Sequence, residues 1–289
     1  MIDWRSMPAE VLEANYNPRV AVADSQSELD ALTAQSRQAA TDLDGQCHSE
    51  LDVRYGAGPL ETLDLYRPLE SDRLAPLVLF VHGGFWRALD KSDHTLVVPP
   101  LLARGAVVAN VNYDLAPAIT LDDMAAQIVR ATRFCHAHSQ AWGADPSRLI
   151  LIGHSAGAHL AARVLNTPDD GDGLPANLVA GVAAISGIYE PEVILGLSVN
   201  QDAQVTKDVA VRNDCLTQPP GGQALVIAWA GGDEPEGWID QTVRYSQVVK
   251  AADMECRQFV MPDTNHFTVL DASFKPGSRG YEAIGELIS

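Results

Sequence analysis

The stretch "RLILIGHSAGAHLAARVL", residues 148–165, decides the fold. An apolar run leads into Gly153-His154-Ser155-Ala156-Gly157, and apolar positions then recur at helical spacing. A buried strand that turns at once into a helix needs a sharp corner. The corner residue takes a strained backbone, and its neighbours must be small, which accounts for glycine on both sides. The serine hydroxyl is then offered at the carboxyl end of the strand. The N–H of Ala156 lies at the helix N-terminus, where it can stabilise a developing oxyanion.

Outward from this corner, strands and helices alternate. "APLVLFVHGG" and "AVVANVNYD" are continuous apolar runs, as expected of strands buried on both faces. "ELDVRYG" and "ETLDLYRP" alternate apolar and polar residues, which predicts half-buried antiparallel strands. "LVAGVAAISG", "ALVIAWAGG" and "CRQFVMP" read as further strands, with helices over 121–142, 155–165 and 239–253. The pattern predicts an α/β fold: a mostly parallel twisted sheet of roughly eight strands with helices on both faces. We expect one domain over residues 1–289, with a helical N-terminal extension over about 1–47. Within that extension Ser25 and Glu28 are spaced as a capping box, with Ser27 as the alternative cap. Residues 189–222 are less regular, with Pro191, Pro219, Pro220 and a Gly-Gly pair, and suggest a cap or lid excursion.

Composition bounds the function. The 20 Lys and Arg residues against 38 Asp and Glu leave a formal charge of −18. Such a surface repels nucleic acid and anionic lipid, so a small-molecule substrate is expected, with neither nucleic acid nor membrane as partner. The N-terminus lacks a signal-peptide apolar run, and Cys47, Cys135, Cys215 and Cys256 form no CxxC pair. A cytoplasmic protein with reduced thiols is expected. His136 and His138 lie two apart on a helix and share no face, so they do not read as metal ligands. Neither a metal nor another cofactor is called for. Oligomeric state is not legible, and a homodimer is one option.

A serine nucleophile needs a base and an orienting carboxylate, in the order Ser, Asp/Glu, His for this topology. His266 in "VMPDTNHFTVL" is the histidine that follows a late strand at the same sheet end. In "ALVIAWAGGDEPEGW", Asp233 comes first after the Gly-Gly turn and is the expected acid, with Glu234 and Glu236 as alternatives. Asp263 is only three residues from His266 and would have to fold back on it. His82-Gly83-Gly84-Phe85-Trp86 follows a buried strand, where backbone N–H groups can turn toward a ligand. Gly84, Phe85 and Ala156 are the expected oxyanion donors. His82 is expected to brace the loop. Trp86 is expected to bind substrate, with a place in the core as the alternative.

With these residues in view, the chain resembles the α/β-hydrolase superfamily over nearly all of 48–289. "HGGFW" resembles the HGG-x-W signature of the arylformamidase (kynurenine formamidase) group and its esterase relatives. "VNYDLAP" (Val111–Pro117) is similar to their Y-x-L-A-P stretch, and "ANYNPR" (Ala14–Arg19) to the group's N-terminal extension. "GGDEPEGWIDQT" resembles the D-x-P-E segment that carries the acid, which implies Asp233. The resemblance implies cofactor-free hydrolysis of N-formyl-L-kynurenine, with small-acyl carboxylesterase activity as the alternative. A non-catalytic ligand receptor on the same fold is a more distant reading, because serine, acid and histidine are all retained. The short His/Asp motif of the unrelated metal-dependent enzymes for that formamide is missing here.

Overall fold

Residues buried on both sides of a strand must be apolar on both, and the continuous runs accordingly become the inner strands of one sheet. A computed structural model describes residues 2–70, 73–167 and 177–289. Its strands are β1 (His48–Arg54), β2 (Thr62–Arg67), β3 (Ala75–Val81), β4 (Val107–Val111), β5 (Ala144–His154), β6 (Val179–Ile185), β7 (Leu225–Gly231) and β8 (Cys256–Met261). The order across the sheet is β1-β2-β4-β3-β5-β6-β7-β8. The β1–β2 and β2–β4 pairs are antiparallel, and every later pair is parallel. This is the mostly parallel sheet expected from the alternation of strands and helices, in the α/β-hydrolase arrangement that the resemblance implies.

The helices are α1 (Ala9–Tyr16), α2 (Pro18–Ala21), α3 (Ser25–Asp42), α4 (Val98–Ala103), α5 (Leu121–His138), α6 (Ala156–Leu165), α7 (Asn200–Ala203), α8 (Lys207–Arg212), α9 (Glu236–Ala251), α10 (Thr268–Ser273) and α11 (Arg279–Ile288). The two-residue period of β5 splits its side chains between two cores. Leu149 and Leu151 join Met124, Ile128, Leu160 and Tyr245, from α5, α6 and α9. Ile150 and Ile152 join Leu101, Val269 and Ile284, from α4, α10 and α11.

The two antiparallel strands depart from the half-buried expectation. β1 is an exposed edge with a bulge between Glu50 and Val53. β2 is buried almost throughout. Its polar position Asp64 accepts from the Asp52 N–H at 2.8 Å and pairs with Lys91 Nζ at 2.9 Å. A buried carboxylate can be held this way when its hydrogen bonds are satisfied, so the alternation in the sequence marks pairing here and not exposure.

The N-terminal extension wraps onto the domain. A Cβ at Gly237 on α9 would overlap the Tyr16 ring of α1, and Ser36 on α3 donates to the Asp93 carbonyl at 2.7 Å. The expected Ser25 capping box does not form. Asp24 sits at the N-cap without a side-chain bond, and Ser25 Oγ turns back to the Arg19 carbonyl at 3.0 Å, tying α2 to α3. Residues 189–222 fold as short helices against this extension. Arg5 pairs with Glu192 at 2.6 Å, and the Ser198 N–H donates to Glu13 at 2.9 Å. Among the described residues, the cavity at Ser155 is lined by Pro18, Arg19, Leu29 and Leu32 of the extension and by none from 189–222.

Several histidines are sealed in. Burial pushes His94 and His159 down to about 3, and His154 well below its ordinary value. Unfolded, each titrates near about 6.5. Below that pH the unfolded chain binds more protons, so this stability is complete above about pH 6.5 and is lost on acidification. Each buried histidine then costs about 1.4 kcal/mol per pH unit. We expect the urea midpoint to fall between about pH 6.5 and about pH 4.5. His159→Gln keeps a donor for the Asn213 carbonyl, and should flatten that slope by about one proton. An unchanged slope in this variant would mean that His159 takes up its proton in the folded chain.

Candidate active site

Ser155 sits at the end of β5 with φ 56° and ψ −120°. A non-glycine residue held there costs about 1–3 kcal/mol, so the surroundings must enforce it. They do so by close approach. A Cβ at Gly153 would overlap the Gly157 carbonyl oxygen, and one at Gly157 would overlap that of Val81. The corner packs backbone on backbone, which only glycine allows. The Ser155 N–H still donates to the Ile185 carbonyl at 2.8 Å, so the corner stays tied to β6.

His266 follows β8, and its Nε2 accepts from Ser155 Oγ at 3.0 Å. Its Nδ1–H donates to a carboxylate, and that carboxylate is Glu234. This corrects the assignment of Asp233. The Asp233 N–H donates to the Thr264 carbonyl at 2.9 Å, and its side chain is exposed. The next residue therefore points inward, and the longer glutamate side chain covers the remaining reach. Glu234 Oε2 also accepts from the Gly231 N–H and from Ser186 Oγ, each at 2.7 Å. Three donors on one buried carboxylate fix its direction. Glu236, the other alternative, is exposed at the start of α9.

The loop after β3 carries three positive φ angles in a row: Gly84 at 112°, Phe85 at 50° and Trp86 at 59°. Successive inversions of this kind turn backbone N–H groups out of the chain's own bonding. The N–H groups of Gly84, Phe85 and Ala156 donate to no other group among the described residues. The segment "VNYDLAP" buttresses this loop. Tyr113 donates to the His82 carbonyl at 2.9 Å and stacks on its ring at 4.4 Å, and the Ala116 N–H donates to the Trp86 carbonyl at 2.8 Å. His82 Nδ1–H donates to the Gly83 carbonyl at 2.8 Å, and the ring lies 3.0 Å from the Asn112 side chain. Burial pushes its pKa down. Trp86 does not line the site. It is fully buried, edge-on to His159 at 5.2 Å, and the substrate-binding expectation for it is corrected to a core role. Phe85 lines the cavity in its place.

Ser155 and His266 open onto a cavity of about 230 Å³. One wall is the oxyanion loop, and the other comes from the N-terminal extension through Pro18, Arg19, Leu29 and Leu32. Four contributors had no signal in the sequence reading. His154, inside the elbow motif, donates from Nε2 to the His266 carbonyl at 2.9 Å and so positions the base from behind. Ser186 holds the acid. His94 lines the cavity as a neutral ring. Trp238 lies 4.2 Å from the His266 ring.

Comparison with known proteins places these features among hydrolases. The family model described as BD-FAE matches residues 63–178. The kynurenine formamidase of Danio rerio is 33% identical, over 94% of this chain and 93% of that protein. A solved chain from Silicibacter sp. tm1040 superposes with a TM-score of 0.79 at 25% identity, covering 96% of this chain and 98% of its own. EstE1, a thermostable carboxylesterase from a metagenomic library, superposes with a TM-score of 0.69 at 16% identity, covering 92% and 98%, and shares the fold. The chain is a hydrolase of the formamidase type.

The geometry sets two adjacent carboxylates apart: Glu234 meets His266, and Asp233 does not. Glu234→Gln should lower kcat by about 10³- to 10⁴-fold, as loss of the orienting carboxylate does in other serine hydrolases. Asp233→Asn should change it by less than about threefold, as expected of an exposed side chain away from the site. Steady-state kinetics on any turned-over ester decide the matter. The reverse ranking would return the acid to Asp233.

Proposed function

Because the chain belongs to the kynurenine formamidase family, we propose that it removes the formyl group from N-formyl-L-kynurenine, with Ser155, His266 and Glu234 as a catalytic triad. The observation that carries this reading is the continuous hydrogen-bonded line from Glu234 through His266 to Ser155. It lies beside three backbone N–H groups that bond to nothing else among the described residues.

The chemistry is acyl transfer. Ser155 Oγ attacks the formyl carbon while His266 Nε2 takes its proton. Glu234 holds the ring with Nδ1–H toward itself and stabilises the imidazolium. The N–H groups of Gly84, Phe85 and Ala156 receive the oxyanion, and loss of one such donor typically costs about 3–4 kcal/mol. The C–N bond breaks, and His266 returns the proton to the departing aryl amine. Water then attacks the formyl-serine ester with His266 again as base, and formate leaves. Trp238 packs against the His266 ring at 4.2 Å and meets Phe85 edge to face at 6.3 Å, and both are buried.

The test is kcat/KM on N-formyl-L-kynurenine and on p-nitrophenyl acetate and butyrate. A strong preference for the formamide, reduced about a thousandfold or more by Ser155→Ala, is the expected result. Brisk butyrate turnover with little formamide turnover would make the protein a carboxylesterase on the same triad. Near-normal turnover by Ser155→Ala would remove the serine mechanism.

A further inference from the structure

The composition makes one feature of the cavity unexpected. On a chain of formal charge −18, no carboxylate among the described residues lines the cavity at Ser155, but two arginines do, Arg19 and Arg87. They come from different parts of the chain, α2 of the extension and the oxyanion loop. Both also line an adjoining outer hollow, together with Phe85, Asn17, Ser198 and Asp202. The two hollows therefore share a wall of Arg19, Phe85 and Arg87, and Ser155 lines the inner one.

We propose that Arg87, assisted by Arg19, binds a carboxylate on the substrate's leaving group, so that the enzyme selects acyl amides or esters that carry this carboxylate over those that lack it. This rests on the formamidase reading for the position of the charge: a formyl group has no atom to carry it, so it belongs to the departing amine. Arg87 Nη1 pairs with Asp202 at 3.1 Å, and that aspartate is 67% exposed. Nη2 has no partner among the described residues. Exposed pairs of this kind are weak and easily exchanged, and a guanidinium fork matches a planar carboxylate with two parallel bonds. Arg19 bonds through its side chain only to Gln26, at 2.7 Å, and has no carboxylate partner among the described residues. Its backbone is fixed, because its N–H donates to Asn17 Oδ1 at 3.1 Å and its carbonyl accepts from Ser25. The two arginines thus stand where an incoming anion replaces Asp202 on Arg87 and meets Arg19 at the rim.

The experiment uses two matched substrate pairs. One is N-formyl-L-kynurenine against 2-formamidoacetophenone, which lacks the amino-acid end. The other is a pair of aryl acetates with and without an ortho carboxyalkyl chain. The readout is the ratio of kcat/KM, with the carboxylate over without it, within each pair. Arg87→Gln should lower this ratio by about tenfold or more, the value of one charge-assisted contact. Arg19→Gln should lower it less. Asp202→Asn removes the competing carboxylate and should raise the ratio, a gain that misfolding could not produce. A ratio unchanged in the Arg19→Gln/Arg87→Gln double variant overturns the proposal, even if the formamide is turned over well. If neither formamide is cleaved but the acetate ratio collapses in Arg87→Gln, the carboxylate site stands and the formamidase reading falls.

Discussion

The site depends on one backbone constraint. Ser155 is held at φ 56° by a corner in which Gly153, Gly157 and the Val81 carbonyl leave no room for a Cβ. That strain is offset by β5, the strand between β3 and β6 in the sheet's parallel core, with β-ladders on both sides. Without a rigid strand behind it, the serine would relax into an ordinary turn and its hydroxyl would leave the sheet edge. The same corner brings the start of α6 against the loop after β3, since Gly157 packs on the carbonyls of Val81 and His82. Ser155 and the loop after β3 are therefore positioned by one contact, and neither can shift alone.

The placement of His266 and Glu234 depends on a second set of backbone bonds. The Gly232 N–H donates to the Met261 carbonyl and the Asp233 N–H to the Thr264 carbonyl, stitching the turn after β7 to the loop after β8. His154 then bonds the His266 carbonyl from the elbow side. Three loops from three parallel strands are thus joined without reliance on the triad's own hydrogen bonds. Pre-organisation of this kind lets the catalytic groups keep their geometry while protons move.

The sheet and the positions of Ser155 and His266 were legible because they follow from strand ends. Parallel strands deliver their carboxyl ends to one edge, and a chain-order rule narrows the histidines to one. The acid was legible only to within a residue. After a Gly-Gly turn, inward and outward side chains alternate, and a single backbone bond from Asp233 to Thr264 decides the phase. Nothing local to "GGDEPE" encodes that bond. Trp86 failed for a similar reason, since three positive φ angles rotate it into the core and leave Phe85 facing the cavity. The wall supplied by the N-terminal extension was not legible at all, because it arises from the packing of α3 and α1 on distant parts of the chain.

Histidines crowd this edge, and burial sorts them. His82, His94 and His154 are enclosed, and burial favours the neutral form of each. Neutral imidazoles serve as donors and packing surface, and they add no charge to repel a second imidazolium. Among the described residues only His266 touches a carboxylate, and the same ring also touches the serine hydroxyl. A base must gain a proton and then give it up within one turnover, which requires a partner that stabilises the charged ring for that interval. The neighbours meet their hydrogen-bonding needs with backbone carbonyls or an amide, which do not offer that stabilisation. The division of labour follows from which ring faces Glu234, and so from the one-residue phase of the turn after β7.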